Sequence, residues 1–225
     1  FNPDIAADET GRAYVVWDSE EPGIPEDRSC FSERSPAGVW APPTPIGSGT
    51  YSEYQLQPSI AANPNGDLLL LYLEAGSVRR LYADSRPAGG IWTGPHELVH
   101  TDWSHRFAWD GAVDMAGNRY ALWADSEYPY SDSQLLLAYQ PMSGSWSTPE
   151  PVGEATSGRA DNVSIAVDGS GNSYASWTNV QNFATDVFFA YRPAGGPWGA
   201  TVRINDDTGG AAQWASRIAA DPTGN

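Results

Sequence analysis

The chain has 225 residues with 12 basic and 28 acidic side chains, a formal net charge of −16, and every base is arginine. A surface this acidic repels phosphate backbones and offers no basic patch to anionic lipid, which argues against nucleic acid as a partner. No apolar stretch approaches the roughly 20 residues of a membrane span, and the single Cys30 has no mate for an internal disulfide.

In chain order, a first strand-like run leads into Ile5-Ala6-Ala7-Asp8-Glu9-Thr10-Gly11. Residues 13–17 form a second run, 30–32 a third, and a fourth opens at Trp40 and closes at Ile46. The set then returns: the turn recurs at Asn63 and Gly66, at Asp114 and Gly117, and at Asp168 and Gly171. The second run recurs at 68–72, 119–123 and 173–177, and the third at 81–83, 137–139 and 189–191. The fourth recurs from Trp92, Trp146 and Trp198 to Leu98, Val152 and Ile204. A fifth turn, Asp221 and Gly224, follows; the five glycines lie 55, 51, 54 and 53 residues apart.

Short β-branched and aromatic runs bounded by Gly, Pro, Asn and Asp read as strands, and no window carries a capped amphipathic helix. Four antiparallel strands per repeat predict an all-β fold, a β-propeller of four-stranded blades of about 53 residues. Such blades cover their apolar faces by packing on their neighbours. The expected organisation is one array over 1–225, with repeats at approximately 3–57, 58–109, 110–162 and 163–215 and a partial repeat at 216–225. The arithmetic favours part of a longer chain whose ring has about six to eight blades. A four-bladed ring with a redundant strand, two chains sharing a ring, and a linear β-solenoid are the alternatives. The first residues already lie in the repeat, so an export signal is expected to have been removed or to lie outside this sequence.

The turn between third and fourth strands carries a family resemblance. Ser85-Arg86-Pro87-Ala88-Gly89-Gly90-Ile91-Trp92 keeps the serine, glycine and tryptophan of the box Ser-x-Asp-x-Gly-x-x-Trp, with proline in place of aspartate. Residues 191–198 keep glycine and tryptophan, 139–146 only the tryptophan, and the turn before Trp40 is one residue shorter. On these residues the chain resembles bacterial sialidase-like propellers built of degenerate Asp-box repeats. The resemblance implies a propeller in which the box is a structural turn. It implies an arginine triad, a tyrosine–glutamate pair and an acidic residue in active members, and no motif here allows those roles to be carried over.

His96-Glu97-Leu98-Val99-His100 spells a zinc-protease string, but that chemistry needs both histidines on one helical face. In a strand they would stand about 13 Å apart, so no metal is expected. The Asp-x-x-Gly turns raise calcium as an option, yet each repeats one acidic side chain where calcium takes six to eight oxygens. The simpler expectation is that Asp8, Asn63, Asp114, Asp168 and Asp221 cap their turns, while Gly11, Gly66, Gly117, Gly171 and Gly224 supply positive φ. No cofactor is expected. Tryptophans that recur in register (Trp17, Trp123 and Trp177) read as packing between blades. Asn162-Val163-Ser164 spells a glycosylation acceptor but leads into a strand.

Functional residues are sought where the repeats differ. Loops after strands two and four share one face of a propeller, and there the chain carries Tyr51, Tyr54, Trp103, His105, Arg106, Trp109, Tyr128, Tyr130, Arg159, Gln213 and Trp214. Aromatic platforms beside hydrogen-bonding groups suit sugars; the alternative is that these loops are solvated spacers. The reading that follows is a non-catalytic secreted or cell-surface propeller binding glycan or protein through that face, and able to associate with further copies or with the rest of a longer chain. The alternatives are a sialidase-type glycoside hydrolase, with Glu53, Arg106, Asp110, Arg159 and Asp161 as its first candidates, and a structural repeat in an extracellular assembly.

Overall fold

A computed structural model describes residues 2–19, 28–47, 54–76, 78–102, 105–127, 132–154, 157–181, 184–206, 212–221 and 223–224. The chain forms two compact units, Phe1–Trp103 and Ser104–Asn225, each built from two four-stranded antiparallel sheets. In the first unit, sheet I comprises β1 (Asp4–Ala7), β2 (Ala13–Ser19), β3 (Arg28–Arg34) and β4 (Thr44–Pro45). Sheet II comprises β5 (Tyr54–Ala62), β6 (Leu68–Ala75), β7 (Val78–Arg86) and β8 (His96–Asp102). In the second unit, sheet III comprises β9 (His105–Val113), β10 (Arg119–Glu127), β11 (Gln134–Gln140) and β12 (Glu150–Pro151). Sheet IV comprises β13 (Arg159–Val167), β14 (Ser173–Gln181), β15 (Ala184–Arg192) and β16 (Val202–Arg203). Strands pair in sequence order throughout. Among the described residues there is no helix, and so none long and apolar enough to cross a membrane.

Two kinds of strand boundary depart from the sequence expectation. The first strands of sheets II to IV begin earlier, at Tyr54, His105 and Arg159, in stretches whose polarity reads as loop. In sheets II and IV the pairing runs through a bulge, between Leu56 and Ser59 and between Asp161 and Ser164. Gln57 and Asn162 there take positive φ, 55° and 49°, which lets one extra residue leave the ladder without ending the strand. The fourth strands do not begin at the tryptophans. The residue after each, Ala41, Thr93, Ser147 or Gly199, donates its N–H to the third-strand carbonyl of Glu33, Ser85, Tyr139 or Tyr191, all at 2.8 Å. Tryptophan therefore marks the exit of the turn, and in sheets I, III and IV the fourth strand shrinks to a two-residue pairing several positions later.

The core of each unit lies between its two sheets. Tyr14 and Val16 on one face of β2 meet Leu68, Leu70 and Tyr72 of β6. Likewise Tyr120, Leu122 and Ala124 of β10 meet Ala175 and Trp177 of β14. Alternation decides these faces, because successive strand residues point to opposite sides. β2 shows it plainly: Tyr14, Val16 and Asp18 are buried while Val15 and Trp17 are only half-buried.

An acidic clamp reinforces each sheet pair. Asp4 Oδ2 accepts the Ser59 hydroxyl at 3.0 Å and the Ile60 N–H at 2.8 Å, while its Oδ1 accepts the N–H of Ile5 at 2.9 Å. Asp110 repeats this with Ser164 at 2.9 Å, Ile165 at 3.0 Å and Gly111 at 2.9 Å. Burial pushes the Asp110 carboxyl above its usual range against the pull of these donors and of Arg217.

Candidate functional site

In sheets I, III and IV the first-to-second-strand turn is closed by its acid. Asp8 Oδ1 accepts the backbone N–H groups of Thr10 and Arg12 at 2.8 and 3.1 Å, and its Oδ2 accepts the Tyr14 hydroxyl at 2.7 Å. Asp114 bonds Ala116, Asn118 and Tyr120 in the same way, and Asp168 bonds Ser170, Asn172 and Tyr174. Burial raises the Asp8 carboxyl, but hydrogen bonds from the side chains of Thr10 and Tyr14 and the amides of Arg12 and Thr10 outweigh it and hold the group below its usual range. Sheet II inverts the chemistry. Asn63 occupies the acid's position and Asp67 sits four residues on, with Asn63 Nδ2 donating to Asp67 Oδ2 at 2.8 Å and the Asp67 N–H to Asn63 Oδ1 at 2.9 Å.

The residue four positions after the acid then ties this turn to the third-to-fourth-strand turn of its own sheet. Asp67 Oδ1 accepts the Ala88 N–H at 2.9 Å, Asn118 Oδ1 that of Met142 at 3.1 Å, and Asn172 Oδ1 that of Ala194 at 2.9 Å. The degenerate boxes share one turn geometry. Gly38, Gly90, Gly144 and Gly196 each donate to the carbonyl three residues back, on Ser35, Pro87, Pro141 and Pro193, at 2.8–3.0 Å.

Where these turns from two packed sheets meet, each unit holds an open cavity. The first, of about 350 Å³, lies between the Asp8–Tyr14 pair and Arg12 of sheet I and Gly66, Arg86 and the Ala88-Gly89-Gly90 turn of sheet II. Arg86 is bonded to Glu33 Oε2 at 2.8 Å. Its guanidinium carbon stands 5.3–5.5 Å from the ring centres of Tyr14, Phe31 and Trp92. Glu33 also pairs with Arg12; burial raises its carboxyl, and Arg86 and Arg12 more than reverse the shift. The second cavity, of about 330 Å³, is built from equivalent positions. It has Asp114, Tyr120 and Tyr139 on one side and Gly171, Arg192 and the Ala194-Gly195 turn on the other. Arg192 pairs with Glu150 and reaches the Gly196 carbonyl at 2.8 Å.

The residues expected on the variable loops are placed differently. Tyr51, Glu53, Trp103, Tyr128 and Tyr130 lie outside the described residues. Tyr54 opens β5, and His105 and Arg106 open β9, so these three stand on strands. Trp109 is half-buried on β9 opposite Trp123. Arg159 opens β13 and donates from Nε to Asp161 Oδ2 at 2.9 Å. Gln213 donates its backbone N–H to Thr185 at 3.1 Å, and Trp214 beside it is 62% exposed. Neither cavity contains any of these residues. Arg86, Arg192, Tyr14, Tyr120 and Tyr139 escaped the sequence reading. For the two arginines the signal was the identical run Arg-Pro-Ala-Gly-Gly at 86–90 and 192–196.

The zinc-like string lies on β8, a strand in which Leu81 faces Val99 and Tyr82 faces Glu97 across a bulge. His100 Nδ1 lies 2.7 Å from Glu97 Oε1, and Arg80 Nε 3.4 Å from Glu97 Oε2. Among the described residues no group of three or more His, Cys, Asp or Glu side chains is placed to hold a metal ion.

No family model matches the chain, and no curated protein matches it in sequence. Solved structures do match in fold. The α-L-arabinanase of Penicillium chrysogenum complexed with arabinobiose aligns with a TM-score of 0.71 at 12% identity, over 99% of this chain and 71% of that one. A Hadza microbial sialidase aligns at 0.59 and 12% identity, over 90% of this chain and 47% of the sialidase. A PL25 ulvan lyase aligns at 0.65 and 9% identity, over 90% and 54%. The fold is a sialidase-like β-propeller.

The four sheets are its blades, and the chain spans about half the length of the sialidase and the lyase. Each cavity sits at the junction between the two consecutive blades of its own unit, beside that unit's near-identical turns.

Proposed function

We propose that this chain is a non-catalytic, exported propeller that binds carbohydrate. The observation that carries the reading is the duplication of Asp110 by Asp4. Asp110, one of the candidate carboxylates for a hydrolase, is occupied by three donors in a clamp that recurs 106 residues earlier with equivalent partners in the same roles. A catalytic centre is built once, at one place in a propeller, whereas a group required at alternate blades serves packing. The sialidase, the arabinanase and the ulvan lyase of similar fold act on saccharides, which supports a sugar as ligand. Exposed Trp214, and Trp109 and Arg159 on the first strands β9 and β13, are candidates for that contact. A protein ligand is the alternative there. The reading calls for no cofactor.

A glycoside hydrolase is the second reading. Its support is the part-exposed Arg159–Asp161 pair on β13 together with the enzymes of like fold. A glycan array probed with the protein, run beside a panel of fluorogenic glycosides, separates the two. Retention without cleavage is the expected result, and turnover of any glycoside would replace the first reading with the second. An empty array with no cleavage would remove both.

A further inference from the structure

We infer that the two blade-junction cavities are ligand sites, each taking one neutral, hydroxyl-rich sugar residue, so that the chain carries two sugar sites. The inference takes its ligand class from the carbohydrate-binding reading but assigns it to surfaces away from the variable loops.

The first support is construction. Each cavity joins an acid–tyrosine pair of one blade, Asp8 with Tyr14 or Asp114 with Tyr120, to an arginine of the next, Arg86 or Arg192. The capped turns and the pairing of Arg86 with Glu33 and of Arg192 with Glu150 explain why those side chains are ordered. They do not require empty space beside them. At about 350 and 330 Å³ both cavities lie at the lower end of the roughly 300–1,000 Å³ range of small-molecule sites. They are kept open by short residues: Ala88, Gly89 and Gly90 at one, Ala194 and Gly195 at the other, all of them exposed. A longer side chain at either alanine would fill the space without disturbing the core.

The second support is charge. The first lining carries Asp8 and Glu33 against Arg12 and Arg86, and the second Asp114 against Arg192, so both are formally neutral. Fixed donors and acceptors without net charge suit hydroxyls, and a chain of net charge −16 disfavours anionic sugars approaching from solution. The two sites differ at one position. Glu33 in the first is replaced by half-buried Tyr139 in the second. The second cavity can therefore stack a sugar's C–H face on a ring, while the first offers charge-assisted hydrogen bonds. Two weak sites on one chain raise avidity for a surface that displays the sugar repeatedly.

The test uses the neutral methyl glycosides of glucose, galactose, mannose, fucose and arabinose as probes, with glucuronate and sialic acid as anionic controls. Binding is read by saturation-transfer NMR and by titration of the intact protein. Ala88→Tyr and Ala194→Tyr plug the cavities from exposed turns, and thermal unfolding checks that each variant keeps its fold. Each single plug is expected to remove one binding equivalent, and the double variant both. In the wild type the amide signals of Gly89 and Gly195 are expected to move on titration, an independent measure that needs no variant. Binding retained by the folded double variant, with those amides unmoved, would overturn the site assignment and leave the carbohydrate reading standing. Tighter binding of the anionic controls would overturn the ligand class. No binding of any saccharide by the wild type would fail both the assignment and the function it rests on.

Discussion

A Cβ placed on Gly66 would stand 3.2 Å from the hydroxyl of Tyr14 on the neighbouring blade and 3.0 Å from the Asp8 oxygen that accepts that hydroxyl. Gly224 stands in the same relation to Tyr174 and Asp168, at 3.2 and 2.9 Å. The turn glycine is thus asked for twice: by its own φ of 90° at Gly66, and by the hydrogen-bonded pair it leans on across the blade junction. Gly11 has a φ of 83° but nothing within 4 Å of the would-be Cβ.

That contrast separates the two demands. Gly11→Ala is expected to cost about 1–2 kcal/mol, the left-handed backbone penalty alone. Gly66→Ala adds the overpacking of Asp8 and Tyr14, for a further 1–3 kcal/mol or so. Urea unfolding midpoints of the two variants measure the difference; equal losses would mean that the neighbouring blade yields freely.

Asp168→Asn should destabilise the fourth blade, because its new amide would face the amide of Asn172, which now donates to Asp168 Oδ2 at 2.8 Å. The second blade shows the cure in Asn63 and Asp67. The double variant Asp168→Asn/Asn172→Asp is expected to recover most of a loss of about 1–3 kcal/mol. A double variant no better than the single one would refute the swap.

The turn acids also set the response to acid. In Asp8 and Asp168 burial acts upward, but the turn hydrogen bonds prevail and leave both carboxyls lowered. Their folded pKa lies below the unfolded value of about 3.9, so their stabilisation is complete above that value and is lost as pH falls through the folded one. Asp84 and Asp110 act in the opposite sense. Burial raises both, so their ionisation costs stability at neutral pH, and that cost fades as pH falls through their folded values. Asp8→Ala is expected to lose less of its remaining stability than the wild type between neutral pH and about pH 3. Unfolding midpoints across that range provide the check.

Arg86→Lys keeps a charge for Glu33 but gives up a planar group lying 5.3–5.5 Å from three ring centres. Arg86 is half-buried, and the loss is expected at about 1–2 kcal/mol. A double-mutant cycle with Trp92→Leu isolates the ring contribution, and zero coupling would discard it.

Asp4→Ala and Asp110→Ala should weaken the protein by similar amounts, about 1–3 kcal/mol each for a carboxylate that leaves buried donors behind. Denaturation reads the loss. An Asp110 variant with unchanged stability would remove the clamp and reopen its candidacy as a catalytic group.

Repetition made much of this legible in one dimension. The turn acids and glycines recur because every blade needs the same reversal, and residues 68–72 or 119–123 read as strands because their neighbours demand apolar side chains at each repeat. The starts of the first strands did not read as strands. Gln57 and Asn162 adopt positive φ inside a bulge, and a polar residue that leaves the ladder is indistinguishable in sequence from one in a loop. Tyr54 and Arg159 read as loop for that reason and stand on strands, and His105, Arg106 and Trp109 stand on β9, whose pairing with β10 is unbroken.

The order of the strands, the period of the blades and the conformation of their turns follow from local chemistry, since a left-handed turn or an alternating strand is decided by residues a few positions apart. The junction cavities follow only from stacking. Arg86 meets Tyr14 from 72 positions along the chain, and Arg192 lines the same cavity as Asp114 from 78. No local rule relates such residues; the face each strand turns toward its neighbour does, and that is settled when the sheets pack.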